Sequence, residues 1–287
     1  MRTIAVTNYK GGSAKTTTAV NLAAALGESG HRVLVIDIDP QGSSSSWLGV
    51  DGDVDGVAEA IAGRMSLSEL LYETTAPGVV LVPASPSIVV ADPQEETQIA
   101  LGFMRAMDRL PALWDVVIID CPPTLGYLAI APLSVSDEVL IPVEARVLAL
   151  GGLTGVLETI ARVRRRLNPE LRLAGVVACR VNRTSHARAI VARLEDQFPE
   201  SFMTTTVRES IRLAEAPSFQ LPITLFAPTS TGAEDYRALA HELMVGWPAP
   251  KTRPSIAIAV GPSDTPTEST RSRLARIASA VAGGRRT

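Results

Sequence analysis

Apolar, β-branched runs of strand length alternate along the first 150 residues with segments in which apolar positions recur at helical spacing. The runs lack the polar alternation of half-exposed strands, and they are therefore typical of parallel strands covered on both faces. The predicted strands are 2–7, 32–37, 79–82, 116–120, 138–143 and 173–178, with a further run near 202–207. The predicted helices are 15–27, 94–109, 148–167, 185–197 and 231–245. This order predicts an α/β fold, a mainly parallel twisted sheet with helices on both faces.

Composition changes beyond Trp247, where Pro, Ser, Thr and Ala become frequent. We interpret residues 1–247 as one domain and 248–287 as a basic tail that is expected to be disordered. Within this tail, 271–282 could form a short basic helix. Residues 248–287 carry seven basic and two acidic side chains, a local charge of +5, so that residues 1–247 carry −8.

The 287 residues are 46% apolar and 20% charged, which excludes a mostly disordered chain. The sequence lacks an apolar run long enough to span a membrane and a signal-peptide pattern at its start, and it has two cysteines, too few for a disulfide scaffold. These observations predict a cytoplasmic protein. With a net charge of −3, nucleic-acid binding would need a local basic patch.

The segment 10–17, Lys-Gly-Gly-Ser-Ala-Lys-Thr-Thr, lies between the first predicted strand and the first predicted helix. Its glycines allow backbone N–H groups to surround phosphate oxygens at a positive helix N-terminus. Lys15 would reach the β- and γ-phosphates, and the Thr16 hydroxyl would ligate Mg²⁺. Ala14 replaces the glycine of the usual loop, a change that we expect to be accommodated by a negative φ. Lys10, Lys15 and Lys251 are the only lysines among 27 basic residues, and two of them fall in this loop.

Two acidic residues follow predicted strands whose carboxyl ends should meet at one edge of the sheet. Asp120, at the end of 116–120, is predicted to polarise Mg²⁺ through water. Asp39, just after 32–37, is predicted to approach the γ-phosphate. Asp37 could instead anchor the strand end, and a role for Asp39 and Asp120 in capping helices stays open. The serines at 43–46 are predicted to form a flexible switch after Asp39 that caps the next helix.

At this point the sequence resembles the ParA/Soj family of DNA-partition ATPases, P-loop proteins of the deviant Walker type. The matching motifs run through residues 1–245 in the family's order: KGGSAKTT (10–17), VIDIDPQG (35–42), VIIDCPP (117–123), RLAEAPS (212–218) and STGAEDYRALAHEL (230–243).

The resemblance implies roles for individual residues. Lys10 would cross a dimer interface to the phosphates of ATP on the other subunit, Asp39 would position the attacking water, and Asn182 would read adenine. The loop 207–210 would lie along the base, although relatives often have Ile-Pro-Arg-Asn there. The predicted catalytic residues are Lys10, Lys15 and Asp39, and the predicted Mg²⁺ residues are Thr16, Asp39 and Asp120. The predicted ATP-binding residues are Lys10, Gly11, Gly12, Ser13, Ala14, Lys15, Thr16, Thr17, Asn182, Val207 and Arg208.

The resemblance also implies a function. An ATP-bound homodimer would bind double-stranded DNA without sequence preference on the nucleoid, and a ParB-like partner would stimulate hydrolysis. Arginines concentrate in the second half of the chain, and Arg188 and Arg212 are the predicted DNA contacts. Two alternatives stay open: a MinD-like membrane-positioning ATPase, for which the alanine-rich 271–282 would be a weak anchor, and a relative that positions a protein cargo.

Overall fold

The computed structural model describes residues 1–52, 54–88, 93–124, 126–145 and 149–247. The predicted boundary after residue 247, the tail 248–287 and its helix 271–282 lie outside these residues. Within them, none of the helices combines the length and apolar character needed to cross a bilayer.

The described residues form one seven-stranded sheet in the order β3-β4-β2-β5-β1-β6-β7. All neighbouring pairs are parallel except β3 and β4, so the prediction of a mainly parallel sheet is confirmed. The strands are β1 Arg2–Val6, β2 Val33–Asp37, β3 Tyr72–Glu73, β4 Val79–Val82, β5 Val116–Asp120, β6 Glu138–Glu144 and β7 Arg172–Cys179.

Helices cover both faces of the sheet. The five predicted long helices are confirmed with boundaries within two residues, and five shorter helices in the described residues were not predicted. The helices are α1 Lys15–Glu28, α2 Ser43–Trp47, α3 Val57–Ile61, α4 Pro93–Asp108, α5 Tyr127–Val135, α6 Ala149–Arg166, α7 Ser185–Gln197, α8 Ile211–Glu215, α9 Ile223–Phe226 and α10 Thr231–Leu243. Two 3₁₀ turns, Leu67–Glu69 and Ala216–Phe219, complete the described elements.

The strands separate two apolar clusters because successive side chains point to opposite faces. Ala5 joins the cluster under α3 to α7, whereas its neighbours Ile4 and Val6 join the cluster under α1, α2 and α8 to α10. Helices cover both faces of the sheet and exclude water from them. This explains why the strands appear in the sequence as unbroken apolar runs.

The prediction of a strand near 202–207 is wrong. Phe202 makes one isolated parallel bridge with Val176, and Arg208 makes another with Val181. Between them the chain follows β7 irregularly, with single bonds such as Val207 N to Ala178 O at 2.8 Å. Pairing is too intermittent for a strand, and this leaves a loop beside the end of β7.

Candidate active site

The phosphate loop connects β1 to α1 and follows the predicted position. Gly12 has φ +74°, a left-handed conformation that glycine adopts without steric cost. Ala14 has φ +70°, so the expectation of a negative φ at this alanine is wrong. Its carbonyl must accept the Thr18 N–H at 2.8 Å to start α1 while the loop reverses direction. A left-handed alanine costs about 1 kcal/mol, which the first turn of the helix offsets.

The two lysines of the loop differ in their environment. Lys15 is 7% exposed, and its Nζ donates to the Lys10 carbonyl at 3.4 Å. Burial lowers the pKa of the Lys15 ammonium, and the nearby carboxylates of Asp120 and Asp39 oppose that shift. Lys10 is exposed, and within the described residues its ammonium has no hydrogen bond or ion pair. One cation therefore points into the site, whereas the other stands at its mouth.

The acidic residues meet at the carboxyl edge of the sheet as predicted. Asp37 and Asp120 are direct partners in the β2–β5 ladder, and both side chains are buried. Asp120 Oδ2 accepts a hydrogen bond from Ser44 Oγ at 2.7 Å. Burial raises the pKa of Asp120, and the hydroxyls of Ser44 and Thr16 partly offset this. A nearby cation would stabilise the ionised form of this carboxylate.

Asp37 holds the strand end, as one of the sequence interpretations had it. Its Oδ2 accepts from the Ser45 backbone N–H at 2.9 Å and the Ser45 hydroxyl at 2.8 Å, and its Oδ1 accepts from Asp39 N at 3.2 Å. Burial, followed by the charge of Asp120, raises the pKa of Asp37.

The serine segment 43–46, predicted to be a flexible switch that caps the next helix, lies within a helix itself. Residues Ser43–Trp47 form α2, because Ser44 and Ser45 are buried against carboxylates at the sheet edge. This short helix ties the segment that carries Asp39 to the ends of β2 and β5. Asp39 itself is 8% exposed, and its Oδ1 accepts from Gln41 N at 3.0 Å.

The donor set at this edge fits a magnesium–phosphate group. Ser13 Oγ and Asp120 Oδ1 are buried without a hydrogen-bond partner in the described part of the chain. Those residues also contain no cluster of three or more His, Cys, Asp and Glu that could hold a metal alone. Mg²⁺ here would therefore rely on few protein oxygens, those of Thr16 and the carboxylates, together with phosphate oxygens, as Mg²⁺ usually does.

A pocket of about 290 Å³ opens next to the phosphate loop. It is lined by Ala14 and Thr17, by Cys179 and Arg180 at the end of β7, by Tyr236, and by the segment 207–211 with Leu213 and Ala214. The predicted base-side residues Val207 and Arg208 thus lie beside the loop. Asn182 does not occur among the described lining residues, and its Oδ1 accepts from Thr184 Oγ1 at 2.6 Å.

Comparisons with known proteins agree with this geometry. A family model described as an AAA domain matches residues 1–173. The chromosome-partitioning ATPase Soj of Thermus thermophilus is 42% identical over 245 residues, covering 85% of this chain and 96% of the relative. The chromosome partitioning protein ParA of Myxococcus xanthus is 38% identical over 248 residues, covering 85% of this chain and 88% of the relative. The chain belongs to the ParA/Soj family of partition ATPases.

Solved structures share the fold, and one of them holds an ATP analogue with magnesium. Cobyrinic acid a,c-diamide synthase from Mycobacterium smegmatis, with a bound ATP analogue and magnesium, has a TM-score of 0.75 and 33% identity, covering 86% of this chain and 96% of that one. The cell division ATPase MinD of Pyrococcus furiosus, with a TM-score of 0.72 and 24% identity, covers 85% of this chain and 98% of its own, and it shares the fold. This ParA/Soj-family chain is an ATPase that uses ATP and Mg²⁺.

The predicted DNA contacts of this ATPase lie on exposed helices. Arg188, in the first turn of α7, is exposed, and within the described residues its guanidinium has no ion pair. Arg212 on α8 pairs with Glu215 at 2.9 Å. Both arginines follow β7 in the chain. Of the two, Arg188 has the guanidinium that is available to contact a phosphate.

Sequence reasoning missed Asn8 and Asp235, which shape the site, and it did not predict that Ser44 and Ser45 would donate hydrogen bonds to the buried carboxylates. Asn8 Oδ1 accepts from Lys10 N at 3.1 Å and its amide donates to Pro142 O at 2.8 Å, which fixes the start of the phosphate loop. Asp235 on α10 binds Arg208, 27 residues away. A proline at 208, as in Ile-Pro-Arg-Asn, would lack the backbone N–H that Asp235 accepts here. Such contacts leave no local sequence signal.

Proposed function

We propose that this ATPase segregates chromosomes or plasmids as an ATP-dependent homodimer that binds double-stranded DNA without sequence preference. A ParB-like centromere-binding partner stimulates hydrolysis, and hydrolysis releases the dimer. The names of the relatives, ParA and Soj, point to partition. The observation that carries the proposal is the exposed Lys10 ammonium at the mouth of a site whose other lysine is buried.

Lys10 acts between subunits. A cation within its own site would be expected to pair with Asp39 or Asp120, as Lys15 does electrostatically. An exposed lysine at the mouth can instead reach the phosphates of ATP held by a second copy and stabilise charge that develops on them. Lys15 and Thr16 bind the phosphates and Mg²⁺ within one subunit, and Asp39 positions the attacking water.

The Lys10→Ala variant tests this assignment, with sedimentation to measure dimerisation and calorimetry to measure MgATP binding. We expect Lys10→Ala to bind MgATP within about threefold of wild type and to lose ATP-dependent dimerisation and hydrolysis, since a cation supplied in trans stabilises transition-state charge by large factors. Lys15→Ala, the comparison variant, should lose MgATP binding itself. A Lys10→Ala protein that dimerises and hydrolyses ATP normally would overturn the assignment between subunits.

DNA binding uses phosphate contacts summed over the two subunits of the dimer. Arg188 supplies one such contact per subunit. Arg188→Ala should weaken binding to all duplex sequences alike and reduce the slope of log K against log salt by about 1 per lost contact. Arg109→Ala removes an exposed arginine just after α4 and serves as the matched control. Equal effects of the two substitutions would remove Arg188 from the interface.

A further inference from the structure

The pocket beside the phosphate loop has one wall built by a loop rather than by a regular element. This wall, residues 207–210, leaves the end of β7 through backbone bonds: Val207 O accepts from Val181 N at 3.0 Å, and Glu209 N donates to Val181 O at 3.0 Å. These bonds hold one side of the loop. The other side, which faces α10, depends on side chains.

Asp235 supplies that second attachment. Its carboxylate accepts from the backbone N–H of Arg208 at 2.8 Å, from Arg208 Nε at 2.9 Å and from one terminal guanidinium nitrogen at 2.6 Å. Asp235 is 7% exposed, so its carboxylate accepts these charge-assisted bonds while largely shielded from solvent. Glu234 also accepts from Arg208 at 3.0 Å, but its side chain is 60% exposed and therefore contributes little.

The residue after Asp235 connects the same helix to the phosphate loop. Tyr236 is fully buried, lines the pocket, and its hydroxyl lies 3.3 Å from Thr18 Oγ1 on α1. Thr18 in turn donates its backbone N–H to Ala14 O. Two consecutive residues of α10 therefore fix the two sides of the pocket, Asp235 on the loop side and Tyr236 on the phosphate side.

We propose that Asp235 is a positioning residue for nucleotide recognition: it clamps Arg208, and with it the wall 207–210, at the distance from the phosphate loop that a purine base requires. The proposal deepens the nucleotide site and rests on ATP binding at the phosphate loop, but not on DNA binding. Arg208 then acts through its ion pair with Asp235, as a strut for the wall rather than as a free cation offered to the phosphates.

Asp235→Asn preserves the shape of the side chain but replaces one acceptor oxygen by a donor facing the donors of Arg208. We expect the Kd for MgATP and for MgADP to rise about tenfold, the effect of losing roughly one charge-assisted bond. The Kd for inorganic tripolyphosphate should stay within about twofold, because it has no base to contact the wall. Glu234→Gln, the exposed neighbour, should leave all three constants within about twofold.

A double-mutant cycle separates this role from a general loosening of the fold. Arg208→Ala should reproduce the effect of Asp235→Asn on MgATP, and the double variant should be no worse than either, because both remove the same clamp. Asp235→Glu should recover part of the affinity. If Asp235→Asn folds poorly, Arg208→Ala tests the proposal instead, because the side chain that it shortens is 46% exposed. Equal loss of ATP and tripolyphosphate, or unchanged ATP binding, would overturn the proposal. Neither result bears on whether the dimer binds DNA.

Discussion

Replacing Ser45 by Ala tests whether α2 is held in place by its buried serines. The Ser45 hydroxyl donates to Asp37 Oδ2 at 2.8 Å and accepts from the Ala84 backbone N–H at 2.9 Å, so that one side chain joins the ends of β2 and β4. Removal of the hydroxyl leaves the N–H of Ala84, which is 7% exposed, without this acceptor. Asp37 Oδ2 keeps the bond from the Ser45 backbone N–H.

The magnitude follows from those two bonds. A buried group left unpaired costs about 1–3 kcal/mol, and the bond to Asp37, which is partly compensated, falls at the low end of that range. We expect the free energy of unfolding of Ser45→Ala to fall by roughly 2–3 kcal/mol, with Tm lower by roughly 5–10 °C for a domain of this size.

Ser46→Ala is the matched control, because Ser46 is exposed on the same helix. Both substitutions gain the same small helix propensity of about 0.5 kcal/mol, so their difference isolates the buried contacts. Urea unfolding followed by circular dichroism measures both variants. If Ser45→Ala and Ser46→Ala differ by less than about 0.5 kcal/mol, the Ser45 hydroxyl does not anchor α2.

Three further predictions concern the site. Asp39→Ala should bind MgATP and dimerise but hydrolyse ATP at least about a hundredfold more slowly, if it positions the attacking water; phosphate release measures this, and normal turnover would contradict it. Ala14→Val should lose about 2 kcal/mol of stability, because a β-branched residue is strained at positive φ, whereas Ala14→Gly should stay within about 0.5 kcal/mol in the same urea assay. Ser44→Ala should raise the pKa of Asp120 further. When the pKa of a carboxyl is higher in the folded state, the protein loses stability as pH rises from the unfolded pKa of about 3.9 to the folded pKa. A further rise of the folded pKa extends this loss to higher pH. The destabilisation by Ser44→Ala should therefore be larger at about pH 8 than at about pH 5. A smaller effect at the higher pH would refute that assignment.

The parts of the fold that the sequence predicts are those with local causes. The apolar runs of β2 and β5, the glycine loop before Lys15 and the long amphipathic helices each carry their own pattern. Short helices lack one: α5 contains Pro132, which argues against a helix, and α2 is a run of serines. These elements form because tertiary contacts fix them, and such contacts leave little periodicity in segments this short.

The same division applies to the site. The phosphate loop and the two aspartates were predictable because backbone geometry at the carboxyl edge of a parallel sheet places them together. The positive φ of Ala14 was not predictable, because it depends on how the loop reverses direction at the start of α1. The Asp235–Arg208 contact joins residues far apart in sequence, and only the packing of α10 against the end of β7 brings them together. Local pattern therefore predicts where the loop and the aspartates lie, but not which contacts hold them in place.

The most direct test of the central claim is the binding of non-specific duplex DNA by the full chain without nucleotide, with ADP and with ATP, each at two salt concentrations. We expect tight binding with ATP but not with ADP or without nucleotide; this binding should weaken steeply at the higher salt and be lost in Lys15→Ala. Equal binding in all three nucleotide states would contradict nucleotide control of DNA binding, and no binding in any state would contradict the partition function itself.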